Sequence, residues 1–268
     1  MPPSRGRLWA ERSTEAFDAL DKARAVAVLP VAAVEQHGPH LPLSVDACIN
    51  DGVLTAALAL LAADDPVLVL PPQIIGKSEE HLRFSGTLSV PAAELIRQWN
   101  AIGDGVAHAG IRKLLIFNSH GGNPPVMEIV SRDLRVRHAM LAVTANWYDL
   151  APLGDWFSAD ELWHGIHGGE VETSVMLHLR PDLVDMAKAA DFVSTSRACE
   201  REFDRLSPLG PTPYAWETQD LNSSGAVGNA AAADAARGEK AVNAAAAGLA
   251  ALLRDMMRAD PGMLIRRR

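Results

Sequence analysis

The sequence predicts an α/β fold: a three-layer αβα sandwich on a mostly parallel central sheet, laid out as one domain over residues 1–268. Three observations predict it. Short β-branched or leucine-rich runs alternate with longer helical patterns. Their spacing suits parallel strands joined by right-handed crossovers. Nearly half of the chain, 48%, is apolar, which is ample for a substantial core.

Residues 23–31 (ARAVAVLPV) read as a buried strand whose apolar run stops just before a polar cluster. Residues 47–63 read as a helix and 66–70 as a second strand, closed by Pro71 and Pro72. Residues 91–109 open with proline in a first-turn position and continue as an amphipathic helix. A third strand at 113–117 (KLLIF), a proline-led helix at 124–138 and a fourth strand at 141–145 follow. A short helix at 170–179 and a long alanine-rich one at 229–259 complete the pattern. Between them, 194–227 is rich in Pro, Gly, Ser and Thr with weak periodicity, and reads as a long, partly irregular excursion of the kind that serves function or assembly.

Charged residues make up 22% with no long run of one sign, and the net charge of −8 gives no electrostatic support to a nucleic-acid partner. Arg266, Arg267 and Arg268 read as a solvated tail. Cys48 and Cys199 are far apart, so neither a disulfide framework nor a zinc finger is expected; Cys48 reads as a small buried residue at a helix start, beside the polar cluster. The opening MPPSRGRLWAERS has no apolar signal core, and the longest apolar stretch is too short to span a bilayer. The expected setting is the cytoplasm, without a membrane partner.

Open α/β sheets bind ligands at the carboxyl ends of their strands. The first strand runs into Glu35-Gln36-His37, with Asp46 shortly after, and the third runs into Asn118-Ser119-His120. Both segments leave the same edge of a parallel sheet and bring carboxylates and imidazoles toward one place. Glu35 and His37 are two apart, so in an extended segment they point to one side. Mixed imidazole and carboxylate ligands suit Zn²⁺, Mn²⁺ or Fe²⁺ better than Ca²⁺ or Mg²⁺, and Asp46 is of the type that bridges two ions. The third cluster runs from Trp163 to Ser174. Glu170 fits a helix-start carboxylate favoured by the dipole. Glu172, ahead of an apolar run, needs a strong partner if buried, and a metal is one. His167, before paired glycines, is placed like an acid or base on a loop. His40, in His-Leu-Pro-Leu, reads as packing beneath the site, while His108, His138 and His178 sit within helical patterns.

Taken together, these residues resemble the creatininase (creatinine amidohydrolase) family. Four blocks carry the resemblance: EQHGPHLPL at 35–43 followed by Asp46, SEEHLRFSGTLS at 78–89, NSHGGN at 118–123, and His167-Gly168-Gly169 followed by Glu172-Thr173-Ser174. The resemblance implies an αβα sandwich that assembles as a homo-oligomer, a hexamer in this family. It implies one or two divalent ions, zinc before manganese or iron, held by Glu35, His37, Asp46, His120 and Glu172. Hydrolysis of an amide-type C–N bond in a small polar substrate, cyclic amides included, by metal-activated water is the implied activity. His167 is implied as the proton shuttle, with Glu172 beside it. Trp163 resembles a tryptophan that covers the substrate, and Ser78, Glu80 and His81 of the second block are expected at the substrate as well.

The chain departs from creatininase proper at one position. Gly122 stands where that enzyme has a carboxylate, as in other branches of the family, which weakens creatinine as substrate and leaves the number of ions open. Those branches include a peptide-trimming enzyme of mycofactocin maturation, a formylaminopyrimidine deformylase and a keto-inositol hydrolase that cuts a C–C bond. A peptide-processing hydrolase, a C–C ring hydrolase and a non-catalytic metal-binding scaffold are therefore the alternatives.

Overall fold

A computed structural model describes residues 6–264 of the chain, and the terminal arginines Arg266, Arg267 and Arg268 lie outside the described residues. The expected sandwich is present. Strands β1 (Val26–Val31), β2 (Val67–Val69), β3 (Lys113–Asn118) and β4 (Leu141–Asn146) form one parallel sheet in the order β2-β1-β3-β4. β1 and β3 are central and buried along their whole length, as expected of parallel strands covered on both faces.

Alternation along the strands divides the core in two. Val26, Val28, Leu115 and Phe117 face helices α2 (Val45–Ala59), α6 (Glu170–Leu179) and α9 (Ala235–Arg258). Ala27, Leu29, Leu114 and Ile116 face α3 (Ala92–His108) and α4 (Pro124–His138). A short helix, α1 (Thr14–Asp18), precedes the sheet, and α5 (Ala159–His164) leads into α6.

Differences from expectation lie at element ends, where side-chain caps and tertiary pairing decide. Pro91 is the N-cap of α3 rather than a first-turn residue. The long C-terminal helix begins at Ala235, not 229, because Gly228–Asn229 (β6) pairs antiparallel with Asp191–Phe192 (β5). The Asp234 side chain then caps α9 by accepting from Arg237 N at 2.9 Å. Within the excursion the chain forms α7 (Ser196–Glu202) and α8 (Thr218–Leu221). Lys113, buried at the start of β3, donates from Nζ to Met257 O at 2.8 Å and so satisfies a carbonyl in the last turn of α9.

The strand order places a topological switch point between β1 and β3. From β1 the chain crosses to β2 on one side; from β3 it crosses to β4 on the other. Such sheets leave a crevice beyond the strand ends at that point. Asn50 of α2 ties the two ends together, donating to Val31 O and Phe117 O at 3.1 Å each. Ser119 donates to Asp46 O at 2.7 Å. The first turn of α2, which carries Asp46, is thereby fixed over the crevice.

Candidate metal centre

Three further segments meet Asp46 of α2 there. The chain after β1 brings Glu35 and His37, the turn after β3 brings His120, and the start of α6 brings Glu172. Two ligand groups result, Glu35–Asp46–His120 and His37–Asp46–Glu172, each with its ligand atoms within 4.8 Å of one another. Asp46 belongs to both. Its Oδ1 lies 3.6 Å from His37 Nε2 and its Oδ2 3.5 Å from His120 Nδ1. A third group, Glu35–His37–His167, overlaps them.

Hydrogen bonds behind the histidines decide which nitrogen faces inward. His120 Nε2 donates to Lys77 O at 2.7 Å, so Nδ1 is the nitrogen that faces Glu35 Oε1 at 3.2 Å. His37 Nδ1 donates to Glu35 O at 3.1 Å, so Nε2 is the nitrogen that faces the carboxylates. Carbonyl partners of this kind fix tautomer and ring orientation in metal sites. The turn after β3 is locked in the same way, with Asn118 Oδ1 accepting from His120 N at 3.0 Å and from Asn123 Nδ2 at 3.1 Å.

The residues fit a divalent cation. His37 Nε2 and Asp46 Oδ2 are buried without any hydrogen-bond partner, although buried polar atoms are almost always paired. Three carboxylates share the space, so a positive charge is required. Burial alone pushes His37 down, but Asp46 and Glu172 raise it to about 9. His120, opposed by burial, is raised by Glu35 and Asp46 to about 10. Burial raises Glu35, yet His120, His81 and His167 together hold it well below the usual carboxylate range. Burial and Glu35 raise Asp46. Burial raises Glu172 to about 7, with His37 opposing. Two imidazolium protons therefore occupy the place of a cation, and a metal would displace them.

His167 sits against this cluster. Its Nε2 donates to Gln36 O at 2.6 Å, so Nδ1 is bare, 3.7 Å from Glu35 Oε1. Its ring lies 4.1 Å from that of His37 and 4.3 Å from that of His81. Burial, then His37 and His81, push it well below the ordinary histidine value, so the ring is neutral. The excursion holds it in place through the pair His167 N to Val227 O and Val227 N to His167 O, at 3.3 and 2.6 Å.

The other sequence-expected residues are distributed around the cluster. Ser78 is fully buried, and its hydroxyl donates to Glu35 Oε2. His81 Nε2 faces Glu35 Oε1 at 3.6 Å. Glu80 pairs with Lys77 at 3.1 Å and lies 3.9 Å from His120 Nε2. Gly122 has no room for a side chain: a Cβ there would lie 2.2 Å from Lys77 O and 2.6 Å from Glu80 Oε1. The Glu80 carboxylate thus reaches, from another segment, the space beside the residue at 122. Trp163, 45% exposed, engages the excursion, its indole N–H donating to Glu200. Glu170 pairs with Arg237 rather than joining the cluster. His40 packs on Phe192 and bonds Thr173 Oγ1 at 2.9 Å, and Cys48, half-buried rather than buried, contacts Ser44, the N-cap of its helix.

Two residues were not singled out from sequence. Gln36 lies between Glu35 and His37 and contacts both His81 and His167. Glu161 is buried with its carboxylate accepting from Glu170 N at 2.7 Å and Asn229 N at 3.0 Å. Gly165, Gly169 and Gly228 crowd that carboxylate so closely that a Cβ on any of them would lie within 2.6 Å of Glu161 Oε1. Glu161 thereby braces the turn that carries His167 and the start of the helix that carries Glu172. The glycines around it were its only trace in the sequence.

The profile of the creatininase family, described as creatinine amidohydrolase, matches residues 10–253. The chain belongs to the creatininase family. It is 35% identical over 161 residues to the mycofactocin precursor peptide peptidase of Mycobacterium tuberculosis, a match spanning 58% of each chain. It is 32% identical over 182 residues to the creatinine amidohydrolase of Pseudomonas putida, covering 62% of this chain and 68% of that one. Solved creatininases share the fold: a manganese form superposes with a TM-score of 0.75 at 23% identity, over 94% of this chain and 99% of that one. A zinc–zinc form of a creatininase variant gives 0.73 at 24% identity, over 94% and 98%.

Proposed function

We propose that this chain is a metal-dependent hydrolase that cleaves an amide-type C–N bond of a small polar substrate, cyclic amides included. One observation carries the reading: four buried ligand side chains and the half-buried Glu172 converge at the sheet's switch point with His37 Nε2 and Asp46 Oδ2 unpartnered. Glu35, Asp46 and His120 would hold one divalent ion, and His37, Asp46 and Glu172 a second, with Asp46 shared. Zinc and manganese are the ions the donor set suits best, and both occur among solved creatininases. A divalent ion bound there supplies Lewis acidity toward a carbonyl and activates water near neutral pH.

The chain's own residues do the rest. His120 Nδ1 and His37 Nε2 would be the ligating nitrogens, because Lys77 O and Glu35 O hold the protons on the other nitrogen of each ring. Ser78 holds the second oxygen of Glu35, and Gly168 N–H holds Glu172 Oε2 at 2.6 Å. His167, with Nδ1 bare at the edge of the cluster, takes a proton and delivers it to the leaving nitrogen. Neither Arg nor Lys pairs with the clustered carboxylates of Glu35, Asp46 and Glu172 among the described residues, so a bound metal would take over as their counter-charge from the His37 and His120 protons.

A second reading is a peptide-trimming hydrolase. The similarity to a peptide peptidase favours it, as does the excursion's reach to the site through Thr218, Gly225 and Val227. In either case the homo-oligomer of the family is proposed for this chain, and the cytoplasm as its setting; no helix among the described residues is long and apolar enough to cross a membrane. Elemental analysis of protein purified without a metal-affinity tag tests the core of the proposal. Zinc or manganese at one to two per chain supports it, and hydrolysis of small amides against short peptides then separates the two readings. A chain that carries no metal and takes up no Zn²⁺, Mn²⁺ or Fe²⁺ refutes it.

A further inference from the structure

We propose that His81 is a catalytic residue that donates a hydrogen bond from Nε2 to the substrate's carbonyl oxygen as that oxygen gains negative charge, and that Gln36 is the positioning residue that fixes the required tautomer. The inference rests on the hydrolase reading above and deepens it.

The argument begins with the amide of Gln36, whose orientation is set by two independent bonds. Its Oε1 accepts from Gly38 N at 2.9 Å, and its Nε2 donates to Gly225 O at 2.8 Å. A reversed amide would set donor against donor at Gly38 and acceptor against acceptor at Gly225. The amide nitrogen also lies 3.2 Å from His167 Nε2, but that nitrogen gives its own proton to Gln36 O and cannot accept, so the remaining N–H goes to His81 Nδ1, 2.8 Å away. His81 Nδ1 is therefore an acceptor, and the ring's proton is on Nε2. Thr218 Oγ1 lies 2.9 Å from the same Nδ1 and 3.1 Å from Glu80 O. Its single proton goes to one or the other, and neither choice alters the assignment.

The proton on His81 Nε2 faces the centre. The nearest carboxylate oxygen, Glu35 Oε1 at 3.6 Å, is past hydrogen-bond reach. Around that same oxygen stand His120 Nδ1 at 3.2 Å, His167 Nδ1 at 3.7 Å and His37 Nε2 at 3.9 Å. Each of those three gives its proton outward, to Lys77 O, Gln36 O and Glu35 O. With an ion in place of the His37 and His120 ring protons, four imidazoles would face one place, three through bare nitrogens and His81 through a donor. A ligand set needs bare nitrogens; a developing oxyanion needs a donor aimed where the charge appears. His81 is built for the second task, and it stands outside every ligand group of the cluster.

Gln36 also governs the partner ring. Its backbone carbonyl takes the His167 Nε2 proton and its side-chain amide caps His81 Nδ1. One residue therefore prepares a neutral base and a neutral donor whose rings are 4.3 Å apart. A base that collects the nucleophile's proton and a donor that meets the carbonyl oxygen are the two roles that amide attack requires of side chains.

The test has a readout that needs no substrate. In zinc-loaded protein labelled with ¹⁵N-histidine, long-range ¹H–¹⁵N spectra should show His81 protonated on Nε2; a proton on Nδ1 overturns the inference. Methylphosphonate then serves as a tetrahedral oxyanion probe. His81→Phe, at unchanged zinc content, should weaken its binding by about tenfold or more, as loss of a hydrogen bond to an anion does. Gln36→Glu is the second variant: a carboxylate accepts from His81 Nδ1 and turns the tautomer over. It should move the His81 proton to Nδ1 and weaken the probe as His81→Phe does, although the imidazole is still present. Unchanged probe affinity in both variants overturns the inference alone. Zinc-loaded unmodified protein that binds no methylphosphonate overturns the hydrolase reading with it.

Discussion

Adding zinc to the metal-free chain at pH 7.5 should expel about two protons. His37 and His120 carry charge before the ion arrives and must be neutral to ligate it. With Asp46 and Glu172 raising His37 to about 9 and Glu35 raising His120 to about 10, both rings are more than about 90% protonated at that pH. Glu172, raised to about 7 by burial, adds roughly a quarter of a proton. The sign follows: protons compete with the ion, so acid weakens binding and base strengthens it until the pH passes the two histidine values. Between pH 7 and 8 the zinc affinity should rise about 100-fold, two powers of ten for two protons. Isothermal titration calorimetry in buffers of different ionisation enthalpy measures the count directly. Release of less than about one proton, or an affinity flat from pH 7 to 8, would refute the reasoning that protons hold the place of the cation.

Three further outcomes follow from the same geometry. Asp46→Ala removes the carboxylate common to both ligand groups and should abolish metal content and hydrolysis together; elemental analysis showing full metal retention would contradict the shared-ligand assignment. His167→Ala should keep the metal and lower kcat by about 10²–10⁴-fold, and loss of metal in that variant would show that His167 is a ligand instead. Glu161→Gln places an amide N–H₂ among backbone N–H groups and should cost about 2 kcal/mol in urea unfolding. It should also lower kcat through displaced His167, with KM little changed; an unaltered unfolding midpoint would mean the brace is unimportant.

Much of the frame is legible in the chain because it depends on local periodicity. β1, β3, α4 and α6 lie within a few residues of where apolar runs and their polar boundaries place them. The ends shift where a distant partner intervenes: α9 starts late because Gly228–Asn229 is drawn into pairing with β5, a contact no local pattern encodes. The excursion at 194–227 shows weak periodicity for the same reason, since its purpose is met by single contacts such as Thr218 with His81 and Val227 with His167.

The sequence by itself determined the fold class and the residue types at the strand ends, because strand burial and the parallel order follow from pattern and spacing. It placed Glu35, His37, Asp46 and His120 where two strands leave the sheet. Only the tertiary structure decided how those groups divide: which imidazole nitrogen faces inward, that Asp46 belongs to both candidate ligand groups, that Ser78 bonds Glu35, and that Gln36 and Glu161 matter at all. The physical reason is distance along the chain. Gln36 meets His167 and Gly225 across 131 and 189 residues, and Glu161 meets Asn229 across 68. A proton's place on a ring is set by such partners, and they are neighbours only after the chain has folded.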